Sequence, residues 1–439
     1  MTAEIAIMNK TAVALAADSA VTIEQNTGNK IFNTVNKLFA LSKYQPVGIM
    51  IYGGANFMDV PWESIIKIYR AKLGKEKFST LKEYANNFLD FLTENTTLFP
   101  ESEQEKHFFR TIARYFVDIK NEIDAEVKTK LNSDKKIAET SIKDIVERVI
   151  KKHFDIWDKT DRLNHIDADS NKSLIEKYGE VISQARNKVF QQLPISEKSF
   201  NELRIICANI FSKDRFARNS SGIVIAGFGK EETFPSLVSF AIEAKINNSL
   251  KYKKENDEVI GFESSACIVP FAQREMVDTF IQGIDPYYSK IITDSLSEYF
   301  AKYPDYIVDS IENIDTDRKQ EFSKKLKEIG ISILAEFNKK LQDYRRTFHI
   351  NPIINAVSFL PKDELAAMAE SLVNLTSFKR KISLDAETVG GPIDVAVISK
   401  GDGFIWIKRK HYFKPELNPY FFANYFQEDR KEEINNEKN

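Results

Sequence analysis

Thr2 makes the most specific chemical claim in this chain. Once Met1 is removed, a terminal threonine carries a hydroxyl nucleophile and, on the same residue, an α-amine that can act as its base. A free α-amine titrates near about pH 8, so a modest shift leaves it neutral at cellular pH. Thr2 opens the run TAEIAIMNKTAVALAADSAVTI, which reads as a hydrophobic strand, a short turn and a second strand ending in Asp18. An acid at that point either opens a turn or serves the terminal residue. Retention of Met1 would abolish the chemistry.

Other residue types offer less. His107, His153, His165, His349 and His411 show no metal-ligand spacing. DADSNKS at 167–173 has Lys172 where a calcium loop needs glycine and Tyr178 where it needs a bidentate glutamate. GFGKEET at 227–233 lacks phosphate-loop spacing and reads as a turn. No metal and no organic cofactor is expected.

The elements that must position Thr2 fall in three β-rich blocks. The first holds Glu4–Thr22, Lys37–Leu41 and Val47–Tyr52, closed by Gly53–Gly54. The second holds Gly222–Phe228, Ser236–Ile242 and, across a charged turn KYKKENDEV, Glu258–Phe262. The third is Ile393–Ser399, a turn at Lys400–Gly403, and Phe404–Lys410. Helical spacing marks Val60–Leu73, Leu81–Leu92, Cys267–Ile281 and Asp363–Lys381, the last preceded by Pro361 and acidic in its first turn. Thr96–Arg218 and Tyr287–Phe348 carry charged helical pattern without strand signal, and EDRKEEINNEKN reads as a tail.

Bulk composition narrows the function classes. Among 439 residues, 43% are apolar, and 62 basic residues face 64 acidic ones for a net charge of −2. That balance gives no argument for nucleic acid or an anionic membrane. Cys207 and Cys267 are the two cysteines, so a disulfide framework is not expected and a reducing cytoplasm fits. No apolar stretch approaches the ~20 residues of a bilayer span, and the amino terminus does not read as a signal peptide.

The order and spacing of these blocks resemble the proteasome β subunits and the bacterial proteasome-like peptidases, members of the N-terminal-nucleophile (Ntn) hydrolases. The resemblance rests on Thr2 with Asp18, on KLFAL followed by GIMIYGGANF, on SGIVIAGFG, and on DELAAMAESLVNLTSFKRK followed by AETVGGPIDVAVISKGDGFIWI. It covers about half of the chain. It implies an α+β, four-layer αββα sandwich built from residues 1–95, 219–286 and 354–414. Helical insertions at 96–218 and 287–353 and a tail at 415–439 would decorate it.

Carried over residue by residue, Thr2 matches the nucleophile, Asp18 the first-strand carboxylate, Lys37 the lysine and Gly53 the oxyanion-hole glycine. The physics agrees with these roles. A buried lysine beside the hydroxyl favours its deprotonation and needs a carboxylate partner, which Asp18 would be. An N–H aimed at a developing oxyanion contributes on the order of 3 kcal/mol. Lys30 before Ile31–Phe32 is a rival to Lys37. The family's Asp and Ser before the final strand are missing: Gly390–Gly391 aligns Val389 with the serine and Ala386 with the aspartate, and Asp385 stands one position early. Ser264 and Ser265 are the nearest match to a further family serine.

The resemblance implies a cytoplasmic threonine-type peptidase or amidohydrolase that acts on peptide or protein and forms a homo-oligomer, with the helical insertions available to a protein partner. Two alternatives stay open on the same fold, an inactive scaffold subunit and a hydrolase of small amides.

Overall fold

The structure is a computed structural model, and it describes residues 3–25, 28–217, 220–312, 315–382 and 389–423. It is a mixed α+β architecture. Among the described residues, ten strands make two five-stranded sheets. In chain order they are β1 (Ala3–Asn9), β2 (Val13–Ala17), β3 (Leu38–Ala40), β4 (Val47–Gly53) and β5 (Ser221–Gly227). There follow β6 (Ser236–Ile246), β7 (Ser249–Val259), β8 (Ala266–Ala272), β9 (Asp394–Ser399) and β10 (Gly403–Lys408). One sheet is ordered β8-β1-β2-β9-β10 and the other β7-β6-β5-β4-β3. β1 pairs antiparallel with β2 and β8, and β5 pairs antiparallel with β4 and β6. Two compact units divide the chain, one of Phe39–Ser264 with Ile398–Gly403 and one of the remainder.

In the first of these units, α1 (Trp62–Leu73) and α2 (Leu81–Glu94) precede a long helical stretch. It contains α3 (Glu101–Asp134), α4 (Glu139–Lys159), α5 (Ser170–Lys177), α6 (Gly179–Phe190) and α7 (Glu197–Ser212). Helices thus account for most of the stretch from Glu101 to Ser212. On α3 the buried side chains Phe108, Ile112, Phe116, Ile119 and Ile123 fall at three- and four-residue steps, an apolar stripe on an otherwise charged helix. They do not make a core of their own. One continuous cluster joins them to Ile223 and Ile225 of β5, to Phe240 of β6, and to Trp62 and Phe88.

The charged run KYKKENDEV is strand, not turn, which corrects the expectation. The turn lies just before it at Asn247–Asn248, whose φ values of 52° and 58° suit a two-residue hairpin. β7 is an edge strand, so its outer half exposes Lys and Glu to solvent without breaking the ladder.

The second unit carries the sheet that begins with β1. Its helices are α8 (Glu275–Gln282), α9 (Pro286–Asp309), α10 (Thr316–Arg345), α11 (Asn351–Phe359) and α12 (Lys362–Ile382). Residues 267–281 were expected as one helix. The structure instead pairs Cys267 with Met8 in β8 and starts α8 only at Glu275. The β-branched pair Ile268–Val269 favours strand, and Pro270 is tolerated because β8 lies at the sheet edge.

Every residue of β1 and β2 is buried. Alternate side chains Ala3, Ile5 and Ile7 pack with Leu365, Ala369, Leu372 and Val373 of α12. Burying such aliphatic side chains contributes about 1.5–3 kcal/mol each at most, so this face anchors the amino-terminal strand firmly.

Candidate active site around Asp18

Asp18 leaves the end of β2 beside the start of β1, because its own N–H donates to Ala3 O at 3.1 Å. Its carboxylate is fully buried and accepts four donors. Oδ1 takes the Ala3 N–H at 3.1 Å and the Lys37 ammonium at 2.6 Å. Oδ2 takes the Gly390 N–H at 2.9 Å and the Ala20 N–H at 3.3 Å. One acid thus ties together the beginning of β1, its own turn, the Lys37 segment and the loop before β9. A buried carboxylate with fewer donors would be expensive, and this one has a partner on each oxygen.

Neighbouring bonds hold the same segments. Ser19 N–H donates to Gly390 O at 3.1 Å, the Ser19 hydroxyl donates to Pro392 O, and Val35 N–H donates to Ser19 O at 3.2 Å. Gly391 has φ +77°, and a Cβ there would stand 2.7 Å from Asn33 O, so the loop closes only on glycine.

Lys37 is 4% exposed. An ammonium so withdrawn from water gives a positive field that is screened far less than on the surface. Two further buried groups share the neighbourhood. Glu4, one residue beyond Ala3 on β1, is 2% exposed, and neither carboxyl oxygen has a hydrogen-bond partner among the described residues. Burial pushes its carboxyl well above the usual range; Lys37 pulls it down and Asp18 pushes it further up. Lys410 forms a second buried ion pair with Asp394, which also accepts the Lys410 N–H at 2.8 Å. Burial lowers the Lys410 ammonium against the pull of Asp394, and it lies within the fields of Lys37 and Asp18.

Of the four residues expected from sequence, Asp18 and Lys37 are brought together. Thr2 lies outside the described residues, as do Ala386 and Asp385. Val389 is buried at the edge of the loop. Lys30 is paired with Ile23 across a short hairpin, and it is Lys37 that meets Asp18. Gly53 belongs to the other unit, where it ends β4 with φ +78°. A Cβ there would fall 2.4 Å from Ser220 O, so glycine is required by the backbone alone.

Glu4, Asp394 and Lys410 went unnoticed in the sequence. Glu4 is the lone acid of an otherwise apolar strand, and Asp394 is the acid that opens DVAVIS. Either could have been flagged as a charge inside an apolar run. Lys410 gives no such signal. Among the described residues, no three His, Cys, Asp or Glu side chains gather to hold a metal, and no helix is long and apolar enough to cross a membrane.

No protein-family model matches the chain, and no curated protein matches it. Among solved structures the chain is similar to an Anbu (Gly-1) mutant from Hyphomicrobium sp. strain MC1. The alignment covers 99% of this chain and 100% of that one, at 8% identity and a TM-score of 0.28. A likeness this loose carries no weight for chemistry or fold.

Proposed function

We propose that this chain is an N-terminal-nucleophile hydrolase of the αββα type that cleaves peptide or other amide bonds after loss of Met1. Thr2 supplies the hydroxyl and its own α-amine takes the proton. Lys37 favours the alkoxide electrostatically and Asp18 holds Lys37. The alkoxide adds to the carbonyl carbon, the amine leaves with a proton, and water releases the acyl group from the threonine oxygen. Gly53 N–H enters this reading as oxyanion donor through the sequence resemblance alone.

One observation carries the proposal: the Asp18 carboxylate binds both the Lys37 ammonium and the N–H of Ala3, the residue that follows Thr2. A structural acid that merely opened a turn would need neither. The resemblance extends the proposal to a homo-oligomeric assembly in which residues 96–218 and 287–353 are additions to the sandwich.

Mass analysis of the amino-terminal peptide tests it, before and after treatment with a peptide epoxyketone. The expected result is loss of Met1 and an adduct on Thr2 that Thr2→Ala abolishes. Quantitative retention of Met1 would sink the mechanism and leave the scaffold reading. Adducts with small acyl electrophiles but none with peptides would favour a small-amide hydrolase.

A further inference from the structure

The hairpin of α9 and α10 contains helices of 24 and 30 residues, yet its fully buried positions are Pro304 and Val308 on α9 and Gly330 on α10. Long helices gain most of their stability from packing an apolar face, and three buried positions supply little of it. The internal seam is clear. A Cβ on Gly330 would stand 3.2 Å from the Phe300 ring, and Asp305 pairs with Lys327 at 2.8 Å, which sets the two helices antiparallel.

A second apolar line lies on the outside of each helix. On α9 it is Tyr288, Tyr299, Tyr303 and Tyr306, between 60% and 69% exposed. On α10 it is Phe322, Ile329, Ile333, Phe337 and Tyr344, between 41% and 56% exposed. Within each line the spacings are sums of three and four residues, the pattern by which one helix packs on another. At about 100° per residue, each line is turned away from its helix's internal seam by roughly a quarter to a third of a circle. Because the helices run antiparallel, the two rotations bring both lines to the same side of the hairpin.

We propose that this face docks on the same face of a second copy of the chain, making a four-helix seam across a two-fold axis. Three observations select that occupant. A partner must offer two adjacent helices with matching three- and four-residue spacing, and the hairpin itself does so. The helices also carry opposite charge: α9 has two lysines against four acids, net −2, and α10 has eight basic residues against five acidic ones, net +3. A two-fold pairing that sets α9 of one copy against α10 of the other is then attractive on both sides. Finally, nine side chains offering roughly 100 Å² each reach the ~800 Å² per partner of a stable interface.

The test uses the full-length chain, with isotope-labelled and unlabelled protein mixed, cross-linked through lysine and digested. The expected result is isotopically mixed cross-links joining α9 to α10, and a sedimenting mass that is an even multiple of the monomer. The double substitution Tyr303→Lys with Phe337→Lys should halve that mass or weaken association at least about 100-fold. Its far-ultraviolet circular dichroism should not change, since both positions are exposed. A monomeric wild type would overturn the proposal. So would mixed cross-links that all fall outside residues 286–345, or an undiminished mass in the double variant. Flotation of monomeric wild type with phosphatidylcholine vesicles would put lipid in place of the second copy and equally overturn it.

Discussion

The carboxylate of Asp18 accepts the amide N–H of Gly390 at 2.9 Å, although the two residues stand 372 positions apart. The same group meets Lys37 and Ala3, so segments far apart in the sequence converge on one buried acid.

Asp18→Asn should therefore destabilise the chain by about 3–5 kcal/mol, because it leaves the Lys37 ammonium buried without a counter-charge. Lys37→Met alone should be damaging for the converse reason. The double variant should recover much of the loss, giving a coupling energy of more than about 1 kcal/mol in urea unfolding. Strict additivity of the two single changes would mean that the pair does not interact energetically.

Lys37→Met, in the Asp18→Asn background that keeps the site neutral, also addresses catalysis. If Lys37 lowers the barrier to alkoxide formation, Thr2 labelling by an epoxyketone should slow about 10²-fold or more. Mass spectrometry of the amino-terminal peptide follows the rate. A rate unchanged within twofold would remove Lys37 from the mechanism while leaving Thr2 in it.

Glu4→Gln has a sign that can be worked out. The folded state raises the Glu4 carboxyl above its ordinary value, so the fold holds that proton more tightly than the unfolded chain does. Stability is fully present below the unfolded carboxyl pKa and is lost as pH rises through the folded value. Glutamine keeps the shape and does not titrate. The variant should match wild type in melting temperature near about pH 4 and exceed it near about pH 8. A gain that was the same at both values would show that Glu4 is not held protonated.

Gly391→Ala places a Cβ against Asn33 O in a left-handed backbone region. The expected loss is about 1–3 kcal/mol. Because this loop also delivers the Gly390 N–H, Thr2 labelling should fall with it. Thermal unfolding and labelling measured on one sample would check both, and a fully stable, fully reactive variant would contradict the role assigned to the loop.

What the sequence revealed depended on how strongly each element's own residues specify it. β1 and β2 are legible because their residues are mostly apolar, and α12 because Pro361 and an acidic first turn mark its start. The Asp18–Lys37 pair was legible only through its place in a larger pattern. β7 does not show as strand in its sequence because its outward side chains are charged, and its pairing with β6, not its composition, makes it strand. Residues 267–272 are ambiguous in sequence because a short apolar run ahead of a helix suits either period. Asp394 and Lys410 meet only after the β9–β10 hairpin forms, a contact that no local spacing announces.

The order β8-β1-β2-β9-β10 has a temporal consequence. β1 sits between β2 and a strand that begins only at Ala266, and its sheet is finished by strands beyond residue 393. At about 5–20 residues per second, the ribosome takes roughly 20–80 s to deliver those partners. Throughout that interval β1 has no completed sheet to enter. On the proposed mechanism, loss of Met1 falls within that interval, before the last strands emerge.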